Sequence, residues 1–182
     1  MNAILGGSES CVATHASDMC VALLALDAIV HIESKKLKRS IPIEDFHLRP
    51  GSNPQKESVL EDDELITEIE IPIKAFSKKS YYLKVRDRAS YAFALCSAAV
   101  ALEIEDGKIE SCRLALGGVA TKPWRVAEAE KILCGQKASE ALFKKAAEAA
   151  LMGAKTLKYN AFKVELGKRT LIRALKTAGA LS

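Results

Sequence analysis

The sequence predicts an α+β fold, and three observations carry that expectation. An Asp106-Gly107 pair stands between two apolar runs, helical periodicity dominates after Gly118, and short strand-like runs dominate before it. Asp-Gly between apolar segments is the strongest short-range hairpin signal, because both turn residues can take positive φ. Lys108 to Leu116 is therefore one strand of an antiparallel hairpin. Ala92 to Glu105 holds the other, with strand preferred after about residue 98 and its alanine-rich start open to a helical reading. With Tyr81 to Val85 this makes a sheet of about three strands, with helices expected on one of its faces.

The other elements follow in chain order. Ala3-Ile4-Leu5 breaks at Gly6-Gly7 and reads as a strand tail entering a turn. Ser17 is a good N-cap for a helix over Met19 to Ala28, with Asp18 in the first turn, where the helix dipole favours an anion. Strands follow at Ile29 to Ile32 and around Arg39 to Ile43, with a solvated basic turn between them. Residues 48 to 58 are loop. Leu65 to Ile71 alternates as a strand with one wet face, stopped by Pro72. Residues 73 to 79 are basic and polar, a hinge between two parts. Pro123 suits the first turn of a helix ending at Gly135. Helices over Ser139 to Met152 and Phe162 to Ala178 complete the chain; the last turns Leu166, Leu171, Ile172 and Leu175 inward.

Composition excludes several classes. Of 182 residues, 27 are basic and 23 acidic, an excess too small and too dispersed for a nucleic-acid surface. The longest apolar run, Val21 to Leu26, is far too short to span a membrane. Five cysteines, with no CxxC pair and no Cys/His ligand spacing, point to a reducing, cytoplasmic compartment. Cys96 and Cys112 lie in apolar strand contexts, where a thiol behaves as a small hydrophobe. No basic leader opens the sequence.

No arrangement for nucleophilic catalysis or metal ligation stands out. His15, His31 and His47 read as ordinary polar or half-buried side chains, and Glu64, Glu68 and Glu70 as a solvated face. Two places remain as candidate polar sites. Thr14-His15-Ala16-Ser17-Asp18 sets two hydroxyls and a carboxylate at a helix start, which fits a polyol or a plain N-cap. Lys84, Arg86 and Arg88 alternate on a strand near Tyr91, which fits the edge of a cofactor ring or a surface ion pair. Gly6-Gly7 fits either a phosphate turn or a tight turn.

Six segments, taken in order, carry a resemblance: NAILGGSESCVATHASDMCVALLALDA (2–28), IPIEDFH (41–47), DDELITEIEIP (62–72), YYLKVRDRASYAFALCSAAVAL (81–102), LALGGVATKPWR (114–125) and NAFKVELGKRTLIRAL (160–175). Together they resemble the FAD-binding, medium subunit of molybdenum hydroxylases of the xanthine or aldehyde dehydrogenase kind. The resemblance implies that residues 1–75 are the later part of the second FAD-binding subdomain and residues 76–182 the C-terminal domain. The first subdomain, with its glycine-rich pyrophosphate loop, has no counterpart here.

The resemblance also implies roles. Asp18, with Thr14 and Ser17, matches the contacts to the sugar-alcohol chain of FAD. Leu65 and Ile66 match apolar residues near its ring systems, Lys84 the lysine near the flavin ring, and Tyr91 an aromatic covering one ring face. The family's His-Pro-Ser-Asp reads His15-Ala16-Ser17-Asp18 here, which loosens the loop without removing its polar groups. Cys11 matches the last cysteine ligand of a [4Fe-4S] cluster found in some relatives, or is a buried thiol; no cluster is expected on this chain. The implied function is part of an oxidoreductase that is not active alone. Electrons would pass from a molybdenum-cofactor large subunit and a [2Fe-2S] small subunit through FAD to an acceptor. The alternative is a fragment or docking module that packs against those partners without FAD, and a colourless preparation is expected.

Overall fold

A computed structural model of the protein describes residues 2–74, 76 and 79–180. The elements are α1 (Asp18–Ala25), β1 (Ile29–Glu33), β2 (Lys38–Pro42), α2 (Ile43–Phe46), β3 (Leu65–Glu70), β4 (Lys79–Val85), β5 (Cys96–Glu105), β6 (Lys108–Gly117), β7 (Trp124–Arg125), α3 (Ala127–Leu133), α4 (Glu140–Ala150) and α5 (Phe162–Ala178). They build two antiparallel sheets, ordered β2-β1-β3 and β4-β5-β6-β7. The expected α+β class holds. The hinge expected over 73–79 lies in part outside the described residues. No helix among the described residues is long and apolar enough to cross a membrane.

The β5–β6 hairpin turns at Asp106 and Gly107, with φ of 48° and 77°, the two positive values that a two-residue primed turn demands. Beyond the turn, alternate residues enter two different cores. Cys96, Ala98, Val100 and Leu102 join Cys112, Leu114 and Leu116 against Phe143, Leu171 and Leu175 of α4 and α5. Ala99 and Ala115, on the opposite face, pack under Val21 and Leu24 of α1. The sheet is therefore covered on both faces, not on one as expected. This also settles the alanine-rich start. A strand buried on both sides has no polar face, so it loses the alternation that marks a strand in sequence; β5 begins at Cys96, before the expected residue 98.

A fourth strand joins this sheet. Trp124 and Arg125 pair with Leu116 and Ala115, and the Val126 N–H donates to the Leu114 carbonyl. The helix expected from Pro123 consequently starts at Ala127. Behind β7 runs a chain of ions. Asp27, just past α1, accepts from Arg113 Nε and Arg125 Nη1, each at 2.8 Å. Arg125 Nε reaches Glu130 at 2.6 Å, and Glu130 also accepts the Leu114 N–H at 2.8 Å. The network ties α1, β6, β7 and α3 together.

The smaller sheet departs from expectation at β3. All six of its residues are exposed, so the strand has two wet faces among the described residues. Its alternation also breaks: Ile32 pairs with Ile66 and His31 with Glu68, which leaves Thr67 as a bulge residue. Arg39 is not a solvated turn residue and Glu64 is not a solvated carboxylate. Nε and Nη2 of Arg39 grip the two Glu64 oxygens at 2.7 and 2.5 Å.

The chain's two ends meet through Lys163, whose side chain is buried on α5. Its Nζ donates to the carbonyls of Asn2 and Gly118, at 3.1 and 2.7 Å. Burial holds this lysine below its ordinary pKa.

Candidate functional site at the start of α1

The loop before α1 turns into the helix at Ser17, whose hydroxyl accepts the Cys20 N–H at 3.2 Å. That bond uses the oxygen as acceptor and leaves the hydroxyl proton free to point outward. Asp18 follows in the first turn, where the helix dipole favours its charge. Because α1 lies across the β5–β6 face, its first turn comes to rest over the end of β4. Tyr82 and Lys84 are two apart on that strand and share its α1-facing side. Tyr82 donates its hydroxyl to Asp18 Oδ1 at 2.8 Å, and Lys84 Nζ sits 2.6 Å from Oδ2.

The electrostatics fit this arrangement. Partial burial pushes the Asp18 carboxyl up, but the Lys84 and Tyr82 hydrogen bonds outweigh it and hold the group below the usual carboxylate range. Tyr82 moves the other way: burial and the adjoining carboxylate both keep its hydroxyl protonated. The site is therefore an ionised acceptor, aimed by two donors. Beside it lies a cleft of about 100 Å³ lined by Thr14, His15, Ser17, Asp18, Phe93 and Ser97, among others.

The other residues singled out from sequence fall elsewhere. Leu65 and Ile66 stand exposed on the edge strand β3 and do not line this cleft. Tyr91, at φ 56° and 94% exposed, also stands outside it. The aromatic that lines the cleft is Phe93. Arg86 lies close enough to Asp18 to favour its charge, whereas Arg88 turns away and donates to the Tyr91 carbonyl. Gly6 takes a positive φ of 68°, and a Cβ there would lie 2.8 Å from the Trp124 ring. Cys11 is partly exposed, and among the described residues it belongs to no group of three metal-ligating side chains. His31 is a satisfied surface histidine, bonded to Glu70 at 3.1 Å and Ser40 at 2.8 Å.

Two comparisons of sequence place the chain. Residues 2–74 match the FAD binding domain in molybdopterin dehydrogenase, and residues 81–178 match the CO dehydrogenase flavoprotein C-terminal domain. The chain belongs to the family of FAD-binding flavoprotein subunits of molybdenum-containing oxidoreductases. It is 44% identical over 182 residues to the FAD-binding subunit of aldehyde oxidoreductase from Escherichia coli (strain K12), covering 98% of this chain and 53% of that protein. It is 37% identical over 140 residues to the glyceraldehyde dehydrogenase medium chain of Sulfolobus acidocaldarius, covering 77% and 47%. The chain thus spans about half the length of the curated relatives it matches.

Solved structures agree. Quinoline 2-oxidoreductase from Pseudomonas putida 86 superposes with a TM-score of 0.78 at 25% identity, over 90% of this chain and 56% of the other. CO dehydrogenase from Oligotropha carboxidovorans shares the fold, with a TM-score of 0.78 at 24% identity, over 90% of this chain and 57% of its own.

Proposed function

We propose that the chain is the flavin-contacting part of such a subunit, and that the loop 14–18 holds the sugar-alcohol chain of FAD. The observation that carries this reading is Asp18, kept ionised at the cleft by Tyr82 and Lys84. Thr14 and Ser17 add hydroxyls beside it, and Phe93 supplies an apolar wall. Bound FAD supplies the redox chemistry by which electrons from iron-sulfur centres reach an acceptor, while the protein binds and orients it. Lys84 serves first to aim Asp18. Leu65, Ile66 and Tyr91 offer apolar contacts outside the cleft, either to FAD or to partner surfaces.

In this reading the chain has two parts, 1–75 and 76–182, supported by the two separate family matches. Its partners are a molybdenum-cofactor large subunit and a [2Fe-2S] small subunit. The printed names of the relatives, a medium chain and a FAD-binding subunit, support a multi-subunit assembly. One observation favours the docking reading as a second possibility. Apolar side chains stand free on and after β3, with Leu65 72% and Ile73 98% exposed.

Titrating FAD into the purified chain and following flavin fluorescence tests the choice. Quenching that saturates, and weakens about tenfold or more in Asp18→Ala, is the expected result, since a hydrogen bond to a charged group is worth about 1.5–3 kcal/mol. Circular dichroism of the variant should be unchanged. Equal curves for the two proteins would remove Asp18 from the site. No quenching with either would assign the chain to docking.

A further inference from the structure

Beside the Asp18 cleft, which His15 also lines, the fold assembles a second set of polar atoms that sequence spacing hides. His15 lies in the loop before α1, Cys20 on α1, and His47 just after α2. One ligand atom from each lies within 4.8 Å of the other two. The rings of His15 and His47 meet edge to face, with centroids 4.6 Å apart. The Nδ1 atoms of both rings are buried, with no hydrogen-bond partner among the described residues. A single buried polar atom left unpaired costs about 1–3 kcal/mol. Two such atoms, on neighbouring rings that lie beside a thiol, call for an explanation, and a bound ion is one.

We propose that His15, Cys20 and His47 form a binding site for a divalent zinc-type cation, with water as the fourth ligand. Imidazole nitrogens and a thiolate select zinc, cobalt, nickel or copper over magnesium and calcium, which demand oxygen. A tetrahedral ion with Zn–N of about 2.0–2.1 Å and Zn–S of about 2.3 Å draws its ligand atoms to roughly 3.5 Å apart. Closing from the present spacing therefore takes about 1 Å of side-chain adjustment.

The surroundings prepare the nitrogens. Burial, then the neighbouring His15 and Lys122, lower His47 to about 4. Burial also lowers His15, against the pull of Glu57. Both rings are neutral at pH 7, the form that ligates. His47 has a further bond to the Ile43 backbone that favours its protonated form.

Binding would release the Cys20 thiol proton to solvent and leave a net charge of about +1 on the ion and its thiolate. The ion would staple the loop carrying Thr14, Ser17 and Asp18 to the segment after α2. The inference concerns metal binding by the chain and stands whether or not FAD occupies the cleft.

Titrating Co²⁺ into the chelator-treated full chain provides the test. The expected spectrum has a thiolate-to-cobalt charge-transfer band in the near ultraviolet and the intense visible bands of a tetrahedral ion, saturating at one equivalent and displaced by Zn²⁺. Cys20→Ser should abolish the charge-transfer band and weaken Zn²⁺ about 10- to 100-fold or more, the loss typical of even an outer-shell partner. His47→Gln should weaken Zn²⁺ similarly, and Cys11→Ser should change neither reading. Far-ultraviolet circular dichroism of each variant confirms folding. No stoichiometric binding, or a thiolate band that survives Cys20→Ser, would overturn the proposal and leave a packed pair of neutral histidines.

Discussion

Arg125→Ala is expected to lower the unfolding free energy by about 3 kcal/mol, near the bottom of the range for removing one partner of a buried ion pair. Arg125 is the link in the Asp27–Arg125–Glu130 chain, with its side chain only 15% exposed. Without it, Glu130 stays buried with the Leu114 N–H as its remaining donor, at 2.8 Å. Asp27 keeps Arg113 and is 28% exposed, which is why the loss falls at the low end of the range. For a chain of this size the melting temperature should drop by about 6–12 °C. Arg125→Lys should recover only part of this, because an ammonium cannot hold two carboxylates in the planar geometry of a guanidinium. Adding Glu130→Gln to Arg125→Ala should recover some stability, since it removes the stranded buried charge. Urea unfolding measures all three. A loss below about 1 kcal/mol for Arg125→Ala would mean that these ions behave as a solvated surface set.

That network was not legible in the sequence, and the reason is physical. Asp27, Arg113, Arg125 and Glu130 gain meaning only when α1 crosses the sheet and β7 adds to its edge, both long-range events. Local signals worked where local physics decides. Asp106-Gly107 encodes its own turn, Ser17 caps its helix as a side-chain acceptor, and α5 runs over the expected residues. They failed where a second surface intervened: Ala99 and Ala115 carry no periodic mark of the helix above them. At the cleft, strand alternation marked Lys84 as a candidate and the family resemblance gave it a role, but its bond to Asp18 spans 66 residues and carries no local signal. Tyr82 was within reach of a strand-face argument, being two residues before Lys84. Phe93 had no such signal. His15, Cys20 and His47 escaped because ligand spacing along a chain is informative only when one element holds the ligands.

Gly117→Val should be as damaging as the loss of Arg125, although strand propensity predicts the reverse. Valine is favoured in strands, and glycine there is destabilising by roughly 0.5–1 kcal/mol relative to alanine. Geometry decides otherwise. A Cβ at residue 117 would lie 2.4 Å from Ser97 Oγ and 2.6 Å from Val21 Cγ2. The Ser97 hydroxyl can swing aside, but Val21 is fixed on α1 at the core of the smaller cluster. The helix must therefore lift from the sheet. Overpacking of this kind costs about 1–3 kcal/mol, and a β-branched side chain against a packed helix falls at the upper end. The displacement reaches the site, because the same helix carries Asp18 over Tyr82 and Lys84. Weaker FAD quenching should accompany the lost stability, beyond what unfolding accounts for. The cause can be isolated by repeating Gly117→Val in a Val21→Ala, Ser97→Ala background, where it should cost at least about 1 kcal/mol less than in the natural chain. An equal cost in both backgrounds would place the damage in the strand itself, and the close approach of α1 would no longer explain why residue 117 is glycine.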